Sequence, residues 1–206
     1  MASAVVHLII AKKVNEKLKM DERPLLLGSI APDISKLIGL SRAKSHFVTE
    51  MGSSVPDIDY FLSKYKKELV NPYEMGYFIH LLTDKLWFED YIKNYVNDLV
   101  VTDKKGRCFT LTEKEICNIL YNDYTNMNIQ LLDYYNMDLG IFYESFEYPE
   151  SHIKELPGEY FDVLIEKIGK ICMKTAKETY ILDIASITHF IEYCTMYVLD
   201  EIEKLK

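Results

Sequence analysis

From Asn71 to about Leu99, apolar residues recur at helical spacing, and one stripe of that helix carries Tyr73, Tyr77, His80, Asp84, Trp87 and Tyr91. Asn71, Pro72 and Glu74 supply an N-x-x-E capping box with proline at the first helical position. The pattern predicts one long helix with His80 and Asp84 stacked a turn apart among aromatic rings. A carboxylate in that setting requires a cation or a metal ion, because burying an unpaired charge costs several kcal/mol.

The same periodicity predicts helices on either side. Residues 3 to about 19 set Ala4, His7, Ala11, Val14 and Leu18 on one face, so His7 points inward, either as a hydrogen-bonded core histidine or as a metal ligand. Pro24 breaks that pattern. An apolar run from Leu25 through Ala31 then ends in Pro32-Asp33, where Asp33 is either the N-cap of a short helix over 34–38 or a ligand. Gly28 within this run permits close backbone approach. Further helices are expected from Ser53 to about Lys67 and from Thr112, boxed with Glu115, to about Tyr135. A short helix and an aromatic loop follow over 138–157, then two closing helices over about 158–179 and 182–204, the last carrying His189 and Glu192. Between Val100 and Leu111, Asp103-Lys104-Lys105-Gly106 marks a small β-hairpin or an irregular excursion. No repeat or linker divides the chain, so the expectation is one all-α domain over 1–206, a multi-helix bundle with its site among the helices.

Composition narrows the function classes. A hydrophobic share of 49% and a charged share of 27% are those of an ordinary globular protein. The formal net charge of -8 argues against broad nucleic-acid binding or capture by an anionic membrane. Cys108, Cys117, Cys172 and Cys194 form no C-x-x-C pair, which removes zinc knuckles and dithiol motifs. Dispersed thiols, with no signal peptide and no transmembrane segment read in the sequence, suggest a reducing cytoplasm.

The groups that composition leaves unexplained occur in a fixed order: His7, then Gly28-Ser29-Ile30-Ala31-Pro32-Asp33, then Ser45-His46-Phe47, then Gly76-Tyr77-Phe78-Ile79-His80 with Asp84. Over roughly the first 95 residues this order resembles the zinc-dependent phospholipase C family, which is related to zinc-dependent single-strand nucleases. The resemblance implies an all-helical fold and a metal-activated water that hydrolyses a phosphoester. It implies that Asp33, His46 and His80 hold one zinc or other divalent transition-metal ion, that His7 holds a second, and that Asp84 bridges them. Asp33 would also orient the water. Asp90 and Asp123 are candidates to complete a dinuclear site. Arg42 and Lys44, beside His46, are candidates to hold phosphate by a bidentate fork and as a point charge respectively. The substrate class is a small phosphorylated compound or a phospholipid headgroup.

The chain departs from that family in two ways. It begins Met1-Ala2-Ser3 where secreted members use an N-terminal tryptophan as a ligand, and Tyr193 stands four residues after His189 where a further ligand pair would need glutamate. Two other functions remain: a nucleotide phosphohydrolase of the His-Asp type, although no adjacent His-Asp pair occurs, and a non-catalytic helical protein that binds a partner through Tyr134, Tyr135, Tyr143 and Phe146.

Overall fold

A computed structural model describes residues 2–145, 147–156, 161–172 and 178–206. Phe146, the predicted helical residues 158–160 and 173–177, and the Cys172 side chain lie outside the described residues. The fold is an all-α multi-helix bundle with one small antiparallel sheet. Among the described residues the helices are α1 (Ala4–Leu18), α2 (Glu22–Ile30), α3 (Arg42–Ser45), α4 (Ile58–Tyr65), α5 (Pro72–Leu86), α6 (Glu113–Tyr134), α7 (Phe161–Cys172) and α8 (Ile184–Glu203). None is long and apolar enough to cross a membrane.

Local chemistry accounts for most of the boundaries. Ser3 caps α1 by accepting the Val6 N–H at 3.3 Å, and Lys19 ends it in the left-handed conformation, φ 58°. The box of Thr112 and Glu115 forms at the start of α6 as its sequence predicts. Asp183 and Ser186 form a second at the start of α8.

The predicted hairpin is the turn of a three-stranded sheet. Val96–Asn97, Val100–Thr102 and Cys108–Thr110 are its strands, with Val101 opposite both Val96 and Phe109. Asp103 accepts the Lys105 and Arg107 N–H groups, and Gly106 takes φ 73° to close the turn.

Three departures concern the segments that carry the site. Pro24 does not end a helix; it sits in the first turn of α2, where the missing N–H has no intrahelical partner to lose. The central helix is regular only to Leu86, and the chain then widens into a π-turn over Trp87–Tyr91 followed by a 3-10 turn over Ile92–Asn94. Asn71 gives α5 no side-chain cap, and Glu74 is drawn inward, fully buried, to accept the backbone N–H and face the Nδ1 of His152.

The core is organised on the crossing of α2 and α5. A Cβ added at Gly28 would lie 1.9 Å from the Tyr73 carbonyl oxygen, and one added at Gly76 would lie 1.9 Å from the Leu25 carbonyl oxygen. The two glycines therefore let the backbones touch, each opening the space the other helix fills. Leu25, Leu26, Leu27 and Ile30 from α2 pack with Phe78, Ile79, Leu81 and Leu82 from α5, and α1 adds Leu8, Ile9 and Ile10.

Candidate metal centre

Five residues predicted from sequence meet beside this crossing. His7, His46, His80 and Asp84 are fully buried, and the Asp33 side chain is 13% exposed. Their donor atoms form two groups, His7 with His80 and Asp84, and Asp33 with His46 and His80, all ligand atoms within each group lying within 4.8 Å. Asp84 faces both ways: Oδ1 is 3.5 Å from His7 Nε2, and Oδ2 is 3.7 Å from His46 Nε2 and 3.9 Å from His80 Nε2.

The backbone sets how the imidazoles present themselves. His80 Nδ1 lies 2.8 Å from the Ser29 carbonyl, which can only accept, so Nδ1 carries the proton and Nε2 presents a lone pair. That carbonyl lies where the chain passes from α2 into a 3-10 turn, Ala31–Lys36, and Pro32, three residues on, has no N–H to offer it. Asp33 sits inside the same turn and caps no helix over 34–38; its Oδ1 is 3.7 Å from His46 Nε2. His46 follows the short α3, with Nδ1 2.8 Å from Ser45 Oγ and 3.2 Å from the Arg42 carbonyl. His46 Nε2 and His80 Nε2 then face each other at 3.3 Å. His7 stacks on His80 with ring centroids 3.8 Å apart, and its buried Nδ1 and Nε2 make no hydrogen bond.

The electrostatics favour neutral rings beside a charged carboxylate. Burial holds the His46 and His80 imidazoles below the usual histidine range, His80 well below it. Burial alone would raise the Asp84 carboxyl, but the His7 imidazole beside it, with Nε2 3.5 Å from Oδ1, holds it well below the usual carboxylate range. The Ala2 N–H donates to Asp84 Oδ1 at 3.2 Å, and an Arg42 guanidinium nitrogen lies 2.8 Å from Oδ2, both acting in the same direction.

The remaining candidates separate. Arg42 joins the cluster, also donating to the Ser54 carbonyl and lying over the Phe88 ring, whereas Lys44 is exposed. Asp90 is exposed on the π-turn and belongs to neither donor group. Asp123 is fully buried but turned to another task, accepting the backbone N–H groups of Tyr180, Ile181 and Leu182 at 2.7–2.9 Å. His189 is exposed on α8, and Glu192 pairs with Lys13 and accepts from the Tyr135 hydroxyl.

Ser29 lies four residues before Asp33 and Ser45 beside His46, and nothing in the sequence pattern suggests their tasks. Ser29 works through its carbonyl, a role no side-chain pattern reveals, although the proline three residues later is a usable sign. Ser45 Oγ connects His46 to Ser35 Oγ at 2.9 Å.

No family model, curated protein or solved structure matches the chain. The donor set therefore has to be judged on its own chemistry. Neutral imidazole lone pairs and an ionised carboxylate suit zinc and its neighbours, and the unpartnered nitrogens of His7 fit a site that a cation would complete.

Proposed function

We propose that the chain is a metal-dependent phosphoester hydrolase resembling zinc-dependent phospholipase C. One observation carries this reading: two buried imidazole nitrogens meet at 3.3 Å, one of them fixed as a lone pair, with an ionised carboxylate alongside. Lone pairs so placed repel unless a cation or a proton lies between them.

In this reading Asp33, His46 and His80 would hold one divalent ion, His7 would hold a second, and Asp84 would be shared between them. Such ions, when bound, supply Lewis acidity toward a water and toward phosphoryl oxygens. Asp33, on the accessible side of the cluster, orients the water and accepts its proton. Arg42 pairs with Asp84 and releases toward a phosphoryl oxygen, which it meets with a planar two-pronged donor. Exposed free thiols at Cys108 and Cys117 suit a cytoplasmic setting.

The Arg42 ion pair also favours a second reading. If Ser45 donates to His46 Nδ1, the proton on His46 Nε2 bridges to His80, Arg42 neutralises Asp84, and the cluster, His7 apart, is a polar network in a non-catalytic protein. Tyr134 and Tyr143, both more than half exposed, would then offer a binding surface.

Metal content separates the two. Protein purified without chelator should carry about two ions per chain by mass spectrometry. His80→Ala and Asp84→Ala should lose them with their circular dichroism unchanged, and phosphoester hydrolysis should follow metal content. Folded protein that takes up no zinc, iron or manganese would leave the polar network as the answer.

A further inference from the structure

A half-enclosed cavity of about 100 Å³ adjoins the cluster at Asp33, between the first turn of α1, the 3-10 turn, α6 and α7. It is the natural approach, since Asp33 is the one partly accessible member of the five and also borders the cavity. Val5, Leu37, Leu164 and Ile168, together with Tyr121 and Tyr124, make its wall largely apolar. Its cation is Lys167, which forms no salt bridge among the described residues.

We infer that this cavity receives the organic part of the phosphoester, and that this part is a short uncharged alkyl group. The inference rests on the hydrolase reading and adds the substrate class to it. Size sets the length: an apolar cavity of about 150 Å³ accepts benzene, so about 100 Å³ accommodates roughly four carbons and not a diacylglycerol. Chemistry sets the type. A quaternary ammonium group is held by aromatic faces and negative charge together; Tyr121 and Tyr124 border this cavity, but Lys167 opposes a cation and the Asp33 carboxylate is directed to His46. Apolar walls reward each buried methylene and offer a charged headgroup little in exchange for its water.

Binding, measured by titration calorimetry on the zinc-loaded full chain, tests this without recourse to turnover. The probes are methylphosphonate, n-butylphosphonate and 2-(trimethylammonio)ethylphosphonate. The butyl compound should bind roughly tenfold to fiftyfold more tightly than the methyl compound, from three further buried methylenes. Ala4→Leu and Thr125→Leu, at partly exposed positions on opposite walls, should each cut that advantage to about threefold or less while leaving methylphosphonate binding unchanged.

Equal binding of the methyl and butyl compounds, or an advantage that survives both substitutions, would overturn the cavity assignment and leave the hydrolase reading standing. Preference for the ammonium compound would overturn it in favour of a cationic headgroup. If no phosphonate binds, the hydrolase reading fails and the substrate class fails with it.

Discussion

Asp84 and Asp123 are equally buried, and they are finished in opposite ways. Asp123 takes three backbone N–H groups from the segment leading into α8, so its charge is satisfied by donors that cannot leave or titrate. Asp84 takes a single backbone N–H, from Ala2, and is otherwise met by imidazoles and a guanidinium, side chains that can exchange one partner for another. A buried carboxylate held wholly by backbone amides ties down the fold, whereas one held mainly by side chains can change partners. Glu74 lies between these cases, with one backbone donor and one histidine at Oε1 and no partner at Oε2 among the described residues.

The sharpest way to disturb Asp84 while sparing Asp123 is at the glycines. Gly76→Ala places a methyl group against the Leu25 carbonyl, forces α2 from α5 and draws Ser29 away from His80. A loss of about 4 kcal/mol or more is expected in urea denaturation.

Next come the carboxylates themselves. Asp123→Ala should cost about 3–5 kcal/mol, because it strands three amides, and the folded fraction should keep its metal content. Asp84→Asn should cost only about 1 kcal/mol, since neutral imidazoles tolerate an amide, yet abolish metal binding. Comparable losses from the two substitutions would erase the distinction between them.

The smallest effect belongs to Glu74. Its hydrogen bond raises the His152 pKa above the ordinary 6.5, so the folded state binds the proton more tightly than the unfolded chain. The resulting stability is fully present below 6.5 and is lost as pH rises through the folded value. Urea midpoints of the wild type and His152→Gln should therefore differ most near pH 5.5 and converge by about pH 9.

The bundle and most of the cluster were legible because both follow helical periodicity: His7, His80 and Asp84 share the inward faces of their helices with apolar neighbours. Gly28 was legible as a place of close approach. What periodicity hides is the partner. Nothing around Asp123 indicates that its donors arrive from residues 180–182, and Asp123 therefore reads as a candidate ligand. Glu74 forms a capping pattern with Asn71, but His152, far along the chain, is where it bonds. The change to a π-turn at Trp87 carries no glycine or proline to announce it; the bulky buried rings of Trp87 and Tyr91 sit where the helix widens.

The backbone contacts of Gly28 with Tyr73 and of Gly76 with Leu25 have a bearing on protein design. Ordinary packed helices stand about 8–10 Å apart on a cushion of side chains, whose rotamers can drift from one sequence to another. Here the spacing between the Ser29 carbonyl and the His80 ring is inherited from main chain meeting main chain. A graft of His7, Asp33, His46, His80 and Asp84 onto a conventional bundle would copy the five side chains and lose the carbonyl that fixes one of them, so the transplantable unit is these five residues together with both glycines and Pro32.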